Sequence, residues 1–291
     1  MEDASAFKGI GIPKPMRICF SADLHGNDDQ YHALCVAARK EAVDALLIGG
    51  DLMPPFSLSD PATYKDFISS CTAHLGDFKR ETGIEVGLIM GNDDLKMNEE
   101  PFMRAAAEHD LVILTLEPVE MAGALIAGYP YVSLTPFRLK DWEKLDLKHQ
   151  QELLTHDIIL AGFRTTATGK VPFTFDINDR ADTIERDLET IAGDVWVVHE
   201  PPYLTALDRI RSGHVGSQAL REAILEKQPL ITLHGHIHET VDVSGQYMQQ
   251  LGETWCYGVG NYHDEPLAYI IVDTDHPGKG GRKRIKVIGG P

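Results

Sequence analysis

Long apolar runs are missing from this chain of 291 residues. No uninterrupted stretch approaches the roughly 20 residues that cross a bilayer, and the polar, Gly/Pro-punctuated stretch from Met1 to Pro15 has no apolar core of signal-peptide length. A cytoplasmic protein with no membrane partner is therefore expected. Paired cysteines are missing as well. Cys19, Cys35, Cys71 and Cys256 show no CxxC spacing, which argues against a thiolate metal site and for four reduced core residues. Basic charge is scarce, with 27 Lys and Arg against 44 Asp and Glu and a formal net charge of −17, so broad attraction to nucleic-acid phosphates is not expected. Bound divalent cations would reverse that balance locally and draw in an anionic substrate. There is no internal repeat, low-complexity tract or obvious linker. The 43% hydrophobic and 24% charged content can bury a sizeable core, and residues 1–291 are read as a single domain.

What is present is an alternation of short apolar runs with amphipathic segments. Arg17–Ser21, Ala45–Ile48 and Glu85–Met90 read as buried strands. Between them, Asp28–Val43 and Asp60–Arg80 carry apolar residues at helical spacing, as Tyr31, Leu34, Cys35, Ala38 and Val43 illustrate. Pro101–His109 reads as a short helix, and Leu111–Leu114 and Ala124–Ala127 as strands. The pattern resumes late in the chain with strands at Val195–Val198 and Leu230–Leu233, a helix at Ser217–Lys227, and strands at Thr254–Gly258 and Leu267–Val272. Gly278–Arg284 reads as a turn before a last strand, Ile285–Ile288. This order defines an α/β fold.

Between about 129 and 193 the pattern loosens. Pro130, Pro136 and Pro172 interrupt it, Asp141–Leu154 and Asp179–Ile191 read as amphipathic helices, and Ile158–Leu160 as a strand between them. The segment has the character of an insertion over a site, and Arg164, Thr165, Thr166 and Lys170 are its polar candidates for substrate contact, weighed against an ordinary solvated surface.

Five apolar runs end abruptly in metal-coordinating side chains: Asp23-Leu24-His25, Gly49-Gly50-Asp51, Gly91-Asn92-Asp93-Asp94, His199-Glu200-Pro201-Pro202 and Gly235-His236-Ile237-His238. The carboxyl ends of buried strands open into crevices where ligands gather. Taken singly, Asp51 is an ordinary turn or helix-cap aspartate and His199 an ordinary core histidine. Five such ends together resist that explanation. Asp23, His25, Asp51, Asn92, His199, His236 and His238 supply two carboxylates, one amide oxygen and four imidazoles, too many for one tetrahedral zinc. The mixed oxygen and nitrogen set suits Mn, Fe, Co or Zn, and two divalent metal ions sharing a carboxylate use it economically. Among the other histidines, His32, His74, His109, His149, His156 and His276 are read as surface residues. His234 is a candidate for orienting a ligand imidazole, His214 for bordering the site, and His263 a weaker candidate for either.

These residues, in order and type, resemble the motif series of the calcineurin-like metallophosphoesterases: D-x-H, G-D, G-N-x-[D/E], a lone His at a strand end, and G-H-x-H. The resemblance runs from about residue 16 to 272. It implies a four-layer α/β/β/α sandwich of two mixed sheets, with a dinuclear centre at one edge. It further implies that Asp23, His25 and His238 bind one metal, that Asn92, His199 and His236 bind the other, and that Asp51 bridges them. A bridging hydroxide would then attack a small-molecule or nucleotide phosphodiester or an activated phosphomonoester.

One position departs from the pattern. Many members of the family carry histidine after the third-motif Asn, where it is thought to protonate the leaving group; here Asp93 stands there. Beside two dications its carboxyl should ionise and make a poor general acid, so good leaving groups are expected to react fastest. Asp94 fits the family's acidic loop-orienting position. Two other readings remain at this point: a nuclease-like diesterase, for which only the scattered Arg138, Lys140 and Arg164 offer a basic track, and a non-catalytic interaction module of the same fold.

Overall fold

The computed structural model describes residues 15–55, 61–148 and 158–286. Its strands are β1 (Arg17–Ser21), β2 (Ala45–Gly49), β3 (Glu85–Ile89), β4 (Val112–Ile113), β5 (Val119–Met121), β6 (Ala124–Tyr129), β7 (Ala161–Thr166) and β8 (Gly169–Thr174). They continue with β9 (Val195–Val198), β10 (Arg209–Ile210), β11 (Gly213–His214), β12 (Ile231–His234), β13 (Met248–Leu251), β14 (Thr254–Gly258), β15 (Leu267–Asp273) and β16 (Gly281–Ile285). The helices are α1 (Asp28–Lys40), α2 (Pro61–Thr82), α3 (Glu99–Glu108), α4 (Ile184–Leu188), α5 (Gln218–Lys227) and α6 (Thr240–Ser244).

Two six-stranded mixed sheets result, ordered β16-β15-β1-β2-β3-β4 and β13-β14-β12-β9-β6-β5. Strands β1 to β4 run parallel in the first, and β6, β9, β12 and β14 in the second; antiparallel partners close the edges. Strand alternation explains how the sheets stack. Ile18, Phe20, Ala45 and Leu47 turn inward and pack with Val195, Val197, Ile231 and Leu233 of the other sheet. Their neighbours Cys19, Leu46 and Ile48 turn outward onto Leu34 of α1 and Leu75 and Phe78 of α2. On the far side Trp196, Val198 and Cys256 pack against Leu220 and Ile224 of α5. The order helix, sheet, sheet, helix is the four-layer sandwich. All four cysteines are free and buried within it.

The loosely patterned stretch departs from expectation. Residues 141–148 form turns and isolated bridges rather than a helix, because their carboxylates are committed elsewhere. Asp141 accepts hydrogen bonds from the Lys96 and Thr165 amides and the Thr165 hydroxyl, and Glu143 from the Thr135 amide and hydroxyl and from Lys140. Residues 149–154 of the expected helix lie outside the described residues. The second expected helix shrinks to α4, since Asp176 and Asp179 bond the amides of Asn178 and Ala181 and compete with a helical path. Ile158–Leu160 precedes the hairpin β7–β8 rather than forming a strand. The turn expected at 278–284 is instead largely β16, paired to β15 at Leu267↔Ile285 through Ile271↔Gly281; of the strand expected at 285–288 only Ile285 belongs to it, and residues 287 and 288 are outside the described residues. No helix among the described residues is long and apolar enough to cross a membrane.

Candidate metal centre

The parallel strands β1, β2 and β3 of one sheet and β9 and β12 of the other deliver their carboxyl ends to one edge of the sandwich. Main-chain bonds carry the pairing past the strands. The amides of Asp23, His25 and Gly26 donate to the carbonyls of Gly50, Asp51 and Leu52, at 3.0, 2.9 and 2.9 Å. The two sheets are joined at the centre itself, where His199 Nδ1 lies 2.7 Å from the Gly49 carbonyl.

The backbone is strained where the candidate ligands sit. Asp23, His25, Asp51 and His236 hold φ values of 56, 45, 50 and 65°, in the left-handed region. Each such residue costs roughly 1–2 kcal/mol relative to right-handed backbone, and strain of this kind gathers at functional sites. Close approach requires glycine at Gly91, where a Cβ would stand 2.2 Å from Asp51 Oδ1.

Asp51 is central. Its Oδ2 lies 3.7 Å from His25 Nε2 and 3.4 Å from His199 Nε2, and its Oδ1 accepts the Asp93 amide at 2.9 Å. On one side, His25 Nε2 is 3.4 Å from His238 Nε2, and His238 Nε2 is 3.7 Å from Asp23 Oδ1. The ligand atoms of Asp23, His25, Asp51 and His238 all fall within 4.8 Å of one another. On the other side His199 Nε2 lies 3.0 Å from Asn92 Oδ1, and the rings of His199 and His236 are 5.2 Å apart. All seven predicted residues are thus brought together.

Charge is arranged to match. Burial alone would raise the Asp51 pKa, but the imidazole of His199 overrides it and holds the carboxyl well below its ordinary range. Burial likewise opposes the charge on His199, yet Asp51 dominates and lifts its pKa to about 10. His199 therefore carries a proton where a metal would otherwise neutralise Asp51. Burial, helped by the charge of His199, drops His236 to about 3, and burial lowers His25, which leaves both as neutral imidazoles of the kind metals accept. The buried Asp23 Oδ2 and His25 Nδ1 have no hydrogen-bond partner, and a buried carboxylate oxygen without one is costly unless a cation completes it. The donor set fits divalent metal.

Asp93 and Asp94 differ sharply. Asp94 is fully buried and accepts the amides of Leu52, Met53 and Gly91 at 3.1, 2.8 and 2.9 Å, which ties the third loop to the second. Asp93 accepts Asn92 Nδ2 at 2.9 Å, and its side chain stays 38% exposed, 3.9 Å from His25 Nδ1. Burial and then the carboxylates of Asp51 and Asp94 raise its pKa to about 7 in the absence of metal; dications close by would act in the opposite sense.

The other candidates fall out unevenly. His234 does not touch a ligand imidazole; it is buried and bonded to the carbonyls of Val198 and Glu200 and the Thr232 hydroxyl, so it braces the end of β9. His214, in β11, does not line the cavity itself; it bonds Asp208 at 2.7 Å beside Val215, which does. The His263 ring stands 5.1 Å from that of His25, nearer than its weak sequence signal suggested. His149 and His156 are outside the described residues. Lys140 is buried against Glu143, Arg164 stacks on Phe173, and Thr165 bonds Asp141. None of these three, nor Thr166 or Lys170, borders the centre's cavity.

Sequence reasoning missed Asn261. Its buried amide donates to the Ala22 carbonyl at 3.0 Å, the Asp23 carbonyl at 3.3 Å and Gln30 Oε1 at 2.9 Å, and so fixes the Asp23 loop against α1. A lone Asn after a glycine gives no signal of such a role. The cavity was missed too. It holds about 580 Å³ beside Asp51, Asn92, Asp93, His236 and His238, and most of the rest of its lining comes from residues 133–137, Ile158 and the β10–β11 segment.

Residues 16–240 match the calcineurin-like phosphoesterase model, which covers most of the chain. The chain belongs to the calcineurin-like phosphoesterase family. Metal-dependent phosphoester hydrolysis is the activity that this membership and the Asp and His cluster support. No curated protein sequence matches it. One crystal structure aligns over 94% of this chain and 100% of its own, at 14% identity and a TM-score of 0.60. That of TT1561 from Thermus thermophilus aligns over the same shares, at 14% identity and a TM-score of 0.57. Both likenesses concern the fold. An archaeal phosphodiesterase overlaps 93% of this chain and 100% of its own at 10% identity, with a TM-score of 0.46, too weak a likeness to bear on function.

Proposed function

We propose that the chain hydrolyses a small-molecule phosphodiester, or an activated phosphomonoester, at a centre of two divalent metal ions (Mn, Fe, Zn or Co). In this reading Asp23, His25 and His238 hold one ion, Asn92, His199 and His236 the other, and Asp51 both. The observation that carries it is the position of Asp51 Oδ2, within 3.7 Å of His25 Nε2 and 3.4 Å of His199 Nε2, one imidazole from each set. When bound, such a pair of ions supplies Lewis acidity toward the phosphoryl oxygens and acidifies a shared water.

The chain's own residues do the rest. His199 gives up its proton on loading, Asp94 and Asn261 hold the loops that carry the ligands, and the strained backbone keeps the carboxylates of Asp23 and Asp51 turned inward. Asp93 lines the cavity at the position where many family members carry histidine, and next to dications it is a carboxylate with no proton to give. Good leaving groups are therefore favoured. Among the described residues no Lys or Arg lines the cavity, which leaves a nuclease-like reading without a track for a polynucleotide backbone.

The test is a panel of aryl and alkyl phosphomonoesters, phosphodiesters and cyclic nucleotides with Mn, Fe, Zn or Co added. Aryl and activated diesters should be turned over fastest. Fastest turnover of alkyl monoesters, with the advantage lost in Asp93→Asn, would overturn the role given to Asp93.

A further inference from the structure

Apart from Asp51, Asn92, Asp93, His236 and His238, the cavity lining has a chemistry of its own. Leu134, Phe137, Ile158, Ile210 and Val215, with Ile237 between two of the candidate ligands, form most of it. Its hydroxyls are largely spoken for: Ser133 Oγ donates to Glu200 and Thr135 Oγ1 to Glu143, both in buried pairs. Among the described residues, the carboxylates Asp51, Asp93 and Glu239 line the cavity and no Lys or Arg does. Two of its segments are pinned from behind. Glu200, next to His199, accepts both the amide and the hydroxyl of Ser133. Asp208, fully buried, accepts the amides of Leu204, Thr205 and Gly216 and the His214 ring, and so fixes the loop that carries Ile210 and Val215.

We infer that this wall is a subsite for an uncharged, largely apolar ester group on the phosphoryl centre, of about the size of an aromatic ring, and that it rejects groups carrying a further negative charge. The inference rests on the hydrolytic reading above and narrows its substrate class to monoanionic diesters. A volume of about 580 Å³ accommodates a phosphoryl group and a ring-sized substituent, within the range typical of small-ligand sites. An additional phosphate or carboxylate would be desolvated in a lining that, among the described residues, offers no Lys or Arg to pair with it and includes Glu239. An apolar ring would displace water from six apolar side chains.

The test holds the leaving group constant. Methyl, phenyl and 4-carboxyphenyl esters of p-nitrophenyl phosphate all release p-nitrophenol, so differences report the second ester group. On the metal-loaded protein, kcat/KM should favour phenyl over methyl by at least about tenfold, and over 4-carboxyphenyl by a similar factor. Val215→Asp, and separately Phe137→Ala at a position 52% exposed, should bring the phenyl-to-methyl ratio toward one. An unbiased methyl-to-phenyl comparison, or equal use of the 4-carboxyphenyl ester, overturns the subsite. A second readout needs no metal. Saturation-transfer NMR on the unloaded protein should show contact with benzyl alcohol but not benzoate, with the benzyl alcohol signal lost in Val215→Asp. If none of the esters turns over, the hydrolytic reading falls, while the benzyl alcohol and benzoate pair still decides the subsite: equal contact by both, or contact by neither, overturns it.

Discussion

Asp51 and Val215 line the same cavity but are held in opposite ways. Asp51 follows a fully buried strand, sits at a φ of 50°, and is locked by the Asp93 amide and by His199 from the other sheet. Val215 lies on a short two-strand excursion whose anchor is one buried carboxylate, Asp208, gathering loop amides. The first side of the cavity thus inherits its geometry from the sheets, and the second from polar clasps between loops. Sheet-borne groups hold positions to the tolerance that chemistry needs, whereas loops tolerate change and set selectivity. Damage to the first side should cost catalysis, and damage to the second should cost choice of substrate.

The largest effect is expected at Asp51 itself. Asp51→Asn should lose both metals and lower turnover on the order of 10³-fold or more, read by metal analysis alongside kcat; full metal retention would remove Asp51 from its bridging position. Next comes Gly91→Ala. Its new Cβ would fall 2.2 Å from Asp51 Oδ1, and displacing a reacting group by an ångström costs about 10²-fold. Wild-type kcat in that variant would mean the strand-end geometry is looser than described.

The pH dependence of stability sharpens the same contrast. Folded His199 keeps its proton to about 10 instead of 6.5, so its pairing with Asp51 stabilises the metal-free protein fully below pH 6.5. That contribution shrinks as pH rises and is gone above about 10. Metal-free protein should therefore lose Tm steadily from pH 7 to 10. The loaded protein should lack this slope, because its ligand imidazoles are neutral throughout. A parallel fall in both forms would contradict a protonated His199. The smallest effect belongs to the wall: Phe137→Ala, at an exposed position, should change stability by no more than about 0.5 kcal/mol while altering which diester is preferred.

This division also decides what the sequence made legible. Buried parallel strands write themselves as short apolar runs, and a polar side chain at a strand end interrupts such a run at one definite residue, so the candidate ligands Asp23, Asp51, Asn92, His199 and His236 stand out in the sequence. The buried parallel strands were found to within a residue or two for the same reason, whereas the edge strand β5, the hairpin β7–β8 and β13 were not read at all. Residues 141–148 could not be, because Trp142 and Leu145 give a helical spacing while Asp141, Glu143 and Asp146 are committed to tertiary hydrogen bonds that no local pattern reveals. Asn261 was invisible because its role depends on carbonyls more than 200 residues away. The wall was invisible because Leu134, Ile158 and Val215 meet only in three dimensions. Arg164 and Lys170, chosen for their polarity, instead stack on Phe173 and Phe163 of the β7–β8 hairpin.

The most direct measurement is anomalous diffraction from crystals grown with Mn. Two peaks are expected, one among Asp23, His25 and His238 and the other among Asn92, His199 and His236, with the Asp51 carboxylate between them. A single peak, or two that leave Asp51 uncoordinated, would contradict the shared-carboxylate centre.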